Sequence, residues 1–137
     1  MHFMKQFLYS LFLISTTSIS CTSNLDRNQK IAVIQYESNG DFGSEKSKTI
    51  ISQKDTSWIA ELIVGNKTIE TVKLNAYQID DFNLFISELR NLKQNGLCTT
   101  VDYYIVELKK EIIKKEDHSC AWLGYRILQQ SLFTKLN

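Results

Sequence analysis

Proline is missing from this chain of 137 residues, which excludes proline-rich linkers and polyproline ligands. Surplus charge of one sign is missing too. Sixteen basic residues meet fifteen acidic ones, for a formal charge of +1. Nucleic-acid binders concentrate Lys and Arg on one face, so that partner class is excluded. No apolar run approaches the roughly 20 residues that a spanning helix needs, and no internal repeat or low-complexity segment occurs. Histidine is scarce, with His2 near the start and His118 near the end. What remains is 43% hydrophobic and 23% charged, enough apolar material for one packed domain.

Residues 1–20, MHFMKQFLYSLFLISTTSIS, carry one charge, Lys5, and no acid. A basic start, an apolar run from Phe7 to Ile14 and then small polar residues form the pattern of a secretory signal. Either Met1 or Met4 serves as initiator in this reading. The segment Thr17-Ser18-Ile19-Ser20-Cys21 resembles the lipobox of bacterial lipoprotein precursors. Ser20 and Ile19 suit the two positions before the cysteine, whereas Ser18 stands where an aliphatic residue is usual, as in the relaxed boxes of Bacteroidota-type lipoproteins. The resemblance covers residues 1–21 and implies cleavage before Cys21, a lipidated sulfur there, and export to a bacterial membrane, the outer membrane being the expected one. Ser18 and Ser20 also suit ordinary secretory cleavage, which leaves plain secretion as the alternative. Several acyl chains anchor stably where one binds only marginally. Loss of Lys5 with the leader leaves a formally neutral mature chain, so electrostatic attachment to anionic lipid is not expected.

Three cysteines are an awkward number for an exported protein. Giving Cys21 to lipid leaves Cys98 and Cys120 as a pair in an oxidising compartment, and a disulfide is expected between them. Two free buried thiols, or a zinc site from Cys98, Cys120 and His118, are the alternatives. The zinc reading lacks a Cys-x-x-Cys pair.

The domain organisation expected is a leader at 1–20, the lipidated cysteine and a polar tether at 21–30, and one domain at 31–137. Ile31 to Tyr36 reads as a β-branched strand ending in a glycine-containing loop at Asn39-Gly40 and Gly43, with a second short strand near Lys48 to Ser52. Gly65-Asn66 between Trp58–Val64 and Lys67–Leu74 signals a hairpin. Asn75 with Gln78 three residues on forms a capping-box pattern. Ile79, Phe82, Phe85, Ile86, Leu89 and Leu92 follow at helical spacing up to Asn95-Gly96, with Asp80 and Asp81 assigned to the first turn. Val101 to Leu108 reads as a strand, joined through Lys109-Lys110 to Glu111–Lys115. A helix over 106–116 is the rival. Asp117 or Ser119 is expected to cap a last helix bearing Trp122, Tyr125, Leu128, Leu132 and Leu136. The fold class is therefore α+β, an antiparallel sheet in the order ββββ-α-ββ-α with helices packed on one face.

Chemistry-bearing motifs are few. Asp41-Phe42-Gly43 matches the magnesium-binding tripeptide of protein kinases, but the chain has no His-Arg-Asp loop and is too short for that fold. It reads as a turn. Asp117-His118-Ser119-Cys120 gathers catalytic residue types in a row, yet adjacent residues rarely converge on one reacting atom. Asp102 lies on an apolar background, where an edge or strand-end position is expected and burial beside Tyr104 is the alternative, and Asn66-Lys67-Thr68 is a glycosylation sequon without use in a bacterium. No catalytic, cofactor or metal residue is assigned.

The strands Val101–Leu108 and Trp58–Val64 are apolar on both alternation sets, and such strands are covered on both faces. Two helices cover one side. The other meets either residues 38–48 with the tether or a protein partner, for which Trp58 and Tyr104 are the candidate anchors. The functional expectation is a lipid-anchored, non-catalytic binding module of the cell envelope, similar in general architecture to small envelope lipoproteins that include inhibitors and immunity proteins. A structural or accessory subunit of an envelope assembly is the alternative, and a small hydrolase a third.

Overall fold

The computed structural model describes residues 28–133 apart from residue 42. Strands β1 (Asn28–Gly40), β2 (Gly43–Lys54), β3 (Ser57–Val64) and β4 (Lys67–Lys73) precede helix α1 (Ala76–Asn91). Strands β5 (Val101–Leu108) and β6 (Ile112–Asp117) then lead to helix α2 (Gly124–Leu132). One six-stranded sheet runs in the order β4-β3-β2-β1-β5-β6 with every neighbour antiparallel. The α+β architecture expected from the sequence is the one observed.

Strand alternation decides which side chains meet the helices. Ile34 stands between Thr49 and Val106, and Ala32 stands opposite Ile51, which faces Ala60 in turn. These residues share one face, and all are at most 1% exposed. Phe82, Phe85, Ile86 and Leu89 of α1 pack onto that face with Tyr125, Leu128 and Leu132 of α2. Both helices therefore cover the same side.

Several local expectations hold. Gly65 takes φ +62 at the β3–β4 turn, as a Gly-X hairpin requires. Asn75 accepts from the Gln78 amide at 3.0 Å while the Gln78 side chain accepts from the Asn75 amide at 2.9 Å, completing the capping box. Residues 106–116 form a hairpin, closed by the Leu108 amide donating to the Glu111 carbonyl at 2.8 Å. β-branched and aromatic side chains in β5 outweigh the helix tolerance of the Lys and Glu that follow.

Other expectations are corrected. Residues 38–48 are not a covering loop, because β1 and β2 stay paired out to Gly40 and Gly43. Glu37 and Lys46 face each other there with a 2.9 Å ion pair, so polar residues extend the hairpin as a ribbon. Residues 28–30 belong to β1 and not to a tether. Helix α1 ends at Asn91, short of Asn95-Gly96, and Asp80 and Asp81 fall outside its first turn, which carries no acid. Neither Asp117 nor Ser119 caps α2. Its N-cap is Leu123, which offers no side-chain bond.

The physical reason for the late start of α2 lies at Cys120. Its φ of 54 is left-handed, so no helix can run through it. Asp117 is 2% exposed and accepts from the Ser119 amide at 2.8 Å and its hydroxyl at 2.6 Å, which fixes a turn instead. Cys98 and Cys120 are paired as a disulfide with Cα atoms 5.8 Å apart. The Cys98 amide also donates to the His118 carbonyl at 3.0 Å. That close approach requires a glycine at 96, because a Cβ there would lie 2.1 Å from the His118 oxygen.

Candidate functional site

Cys21, the leader at 1–20 and Phe42 of the Asp-Phe-Gly tripeptide lie outside the described residues. Leu136 does as well. Within them, no helix is long and apolar enough to cross a membrane, and no group of three or more His, Cys, Asp and Glu is arranged to hold a metal. The Asp117–Cys120 run does not assemble a nucleophile. The Cys120 sulfur is bonded to Cys98, His118 Nε2 lies 3.1 Å from Glu116, and Asp117 is engaged by Ser119.

The proposed anchors Trp58 and Tyr104 stand on the wrong face. Tyr104 is 2% exposed and belongs to the core, and Trp58 is half-buried against it. Alternation then places Tyr103 and Ile105 on the opposite face, where they are 37% and 36% exposed. Doubly apolar strands thus receive a full helical cover on one side only. The polar neighbours of Tyr103 and Ile105 explain why the other side tolerates water.

Two rows of side chains build that open face. Ile105, Gln35, Lys48 and Ile63 stand side by side across β5, β1, β2 and β3. Tyr103, Glu37 and Lys46 form the next row. Together they line a groove of about 300 Å³ that runs to the β3–β4 turn. Its apolar walls are Ile63, Ile105 and Tyr103, and its centre is polar. A hydrogen bond from Lys46, then one from Asn39, hold the Glu37 carboxyl below its usual range. Gln35 donates to Glu107 at 3.2 Å, whereas Lys48 makes no ion pair among the described residues.

On the helix side, Tyr36, Tyr104, Tyr125 and Trp122 gather near one end of the sheet, with Phe85 against Trp122 and Tyr125. Tyr36 lies 4.7 Å from Tyr125 and 5.5 Å from Tyr104 between ring centroids, and Trp122 meets Tyr104 edge-on at 5.2 Å. Both Tyr36 and Tyr104 donate to Asp102, at 3.3 and 3.4 Å. The Tyr125 hydroxyl is held by Ser47 and Thr49, each at 3.2 Å. Burial raises all three phenols above their ordinary pKa, with the charge of Asp102 adding to the effect at Tyr104 and Tyr36. Asp102, the second residue of β5, lies at the strand end and is half-buried beside Tyr104.

Sequence reasoning separated the alternation sets correctly but could not tell which set the helices would take. It missed the aromatic cluster because Tyr36, Tyr104 and Tyr125 come from β1, β5 and α2, far apart along the chain. No protein-family model matches this chain, and no curated protein matches it by sequence.

Proposed function

We propose that the protein is exported, anchored to a bacterial membrane through lipid on Cys21, and acts there as a non-catalytic binding module of the inhibitor or immunity kind. The signal-like leader and the lipobox resemblance support the anchoring, and the Cys98–Cys120 pair suits an oxidising compartment. The observation that carries the binding role is the groove on the open sheet face. Partly exposed Tyr103, Ile105 and Ile63 flank a polar centre in which Lys48 has no anionic partner among the described residues. Apolar walls around Lys48, beside the Lys46–Glu37 ion pair, suit a protein segment that presents an acidic side chain between apolar ones.

Affinity capture from native envelope tests this reading, with wild-type protein compared against Ile105→Asp and Lys48→Glu. A single enzyme captured in stoichiometric amount by wild type and lost with both variants supports inhibition. Retention of the same partner by both variants overturns the groove as its binding face. Recovery of a large envelope assembly through the same groove assigns the accessory-subunit role instead. Cys21→Ser is expected to release the protein from the membrane fraction, and an unmodified thiol on wild-type Cys21 refutes the anchor.

A further inference from the structure

The near-neutral balance of the whole chain conceals a separation of charge along the sheet. Strand pairing sets Lys30 opposite Ser52, Ser52 opposite Ile59 and Ile59 opposite Lys73, so two lysines close one row across β1 to β4. Lys54 stands opposite Asn28, further towards the same end. Leu108 is the partner of Ala32, and the Lys109-Lys110 turn follows it at that end. Four strand spacings separate β4 from β5, so the five lysines spread over about 20 Å of sheet width. Each is exposed, and none forms an ion pair among the described residues. Among the strands and turns at this end the acids are Asp55 and Glu111, and Arg90 neutralises Glu111. The next acids inward, Glu61 and Glu107, stand in the row of Ile50 and Val33. About 25 Å beyond Lys30 along β1, the row of Ser38 instead brings Glu45, Asp102 and Asp117 together.

Building on the proposed anchor at Cys21, we infer that this lysine-rich end is a docking surface for an anionic lipid bilayer. The chain delivers the anchor to the same end, because β1 begins at Asn28, seven residues after Cys21. Seven residues reach at most about 25 Å when fully extended, whereas lysines feel lipid charge only within a Debye length of about 8 Å. The tether therefore permits contact but also lets the domain lift off, and the lysines decide which arrangement is held. Each lysine near an anionic surface strengthens attachment roughly fivefold. Long aliphatic stems let the ammonium groups of more than one row reach the headgroups. The acidic row around Ser38 is repelled by the same lipid, which fixes the polarity of the stance. An acidic polypeptide could meet these charges too, but the anchor brings lipid to this end. Gln35 and Lys48 of the groove lie about 16 Å beyond the Lys30 row, outside the Debye length, and stay open to a partner.

The test is lysine acetylation of wild-type protein taken from native envelope and reconstituted into phosphatidylcholine vesicles, with or without phosphatidylglycerol. Peptide mass spectrometry reads each site. Lys30, Lys54, Lys73, Lys109 and Lys110 are expected to be protected severalfold on phosphatidylglycerol vesicles, while Lys67 at the far end of β4 stays reactive. Added salt is expected to remove the protection. Equal reactivity of the five lysines on both vesicles overturns the docking surface and leaves the anchor standing. A second arm needs no lipidation. The full chain with Cys21→Ser is sedimented with the same vesicles, and binding is read as the difference between the two compositions. Lys54→Gln is expected to weaken it roughly fivefold and Lys109→Gln with Lys110→Gln roughly 25-fold, with Lys67→Gln unchanged. All four positions are exposed, so folding is kept. An unmodified Cys21 in the first arm refutes the anchor, and the second arm then judges the lysine end by itself. Unchanged binding of the Lys54 and Lys109–Lys110 variants, or equal weakening by Lys67→Gln, overturns the docking surface. Protection by polyglutamate and not by phosphatidylglycerol vesicles assigns this end to an acidic polypeptide and overturns it as well.

Discussion

Adjacent tyrosines on β5 offer a direct test of which sheet face is core. Tyr104→Ala removes a ring that is 2% exposed and in contact with three others, Tyr36 at 5.5 Å, Trp122 at 5.2 Å and Tyr125 at 6.0 Å. Deleting a buried aromatic costs about 3–5 kcal/mol of folding free energy, since the lost transfer term is joined by a cavity that neighbours only partly fill. For a domain of this size that corresponds to a fall in melting temperature on the order of 20 °C. Tyr103→Ala removes a ring that is 37% exposed and stands opposite Glu37 and Glu116. A cross-strand pair of that kind contributes about 0.2–1 kcal/mol. Urea unfolding of both variants beside wild type reads the difference, with Tyr104→Phe added to isolate the hydroxyl at about 1 kcal/mol. Tyr103→Ala destabilising as much as Tyr104→Ala would refute the assignment of faces. So would a Tyr104→Ala protein within about 1 kcal/mol of wild type, because no core ring is so cheaply lost.

Reduction of Cys98–Cys120, which spans 22 positions, is expected to cost about 3 kcal/mol in the chain-entropy description, read as a lower urea midpoint under dithiothreitol. An unchanged midpoint counts against a constraining bridge. Asn75→Ala removes the side-chain acceptor for the Gln78 amide and is expected to cost about 1 kcal/mol, seen in thermal unfolding, whereas Asn75→Asp is expected to keep most of it. Alkaline pH supplies the last test. Tyr104 and Tyr125 hold their protons in the folded state above the ordinary value of 10.0, so the unfolded chain loses protons first as pH rises. Stability is therefore fully present below about pH 10 and falls above it, by up to about 1.4 kcal/mol per pH unit for each tyrosine. Phenolate absorbance for these two residues is expected to appear only with unfolding, and their ionisation in the intact fold contradicts the burial.

Much of the architecture was written in local patterns. Gly65-Asn66 dictated a hairpin because one residue there must take positive φ, and Asn75 with Gln78 set the start of α1 because two orphan amides need acceptors. The parity of Cys98 and Cys120 was legible once Cys21 was set aside. Strand ends were not. Polar residues 38–48 read as loop, but the β1–β2 ladder carries them out as a paired ribbon on which Glu37 faces Lys46. The start of α2 was likewise hidden, since the left-handed conformation of Cys120 and its pairing with the distant Cys98 belong to the folded chain and not to local pattern.

The decisive uncertainty was the face of the sheet. Alternation along β5 separates Tyr103 and Ile105 from Tyr104 and Val106 with certainty, because successive side chains must point to opposite sides. It gives both sets apolar members, so composition cannot say which is buried. That choice is made by where Phe85, Tyr125 and Leu128 land when α1 and α2 dock together, a contact among residues distant in sequence. The same docking brings Tyr36, Tyr104, Tyr125 and Trp122 around Asp102. Sequence thus determined the elements and the two candidate faces. Tertiary packing alone decided which became core and which stayed open, because burial is a property of the assembled layers and not of any one strand.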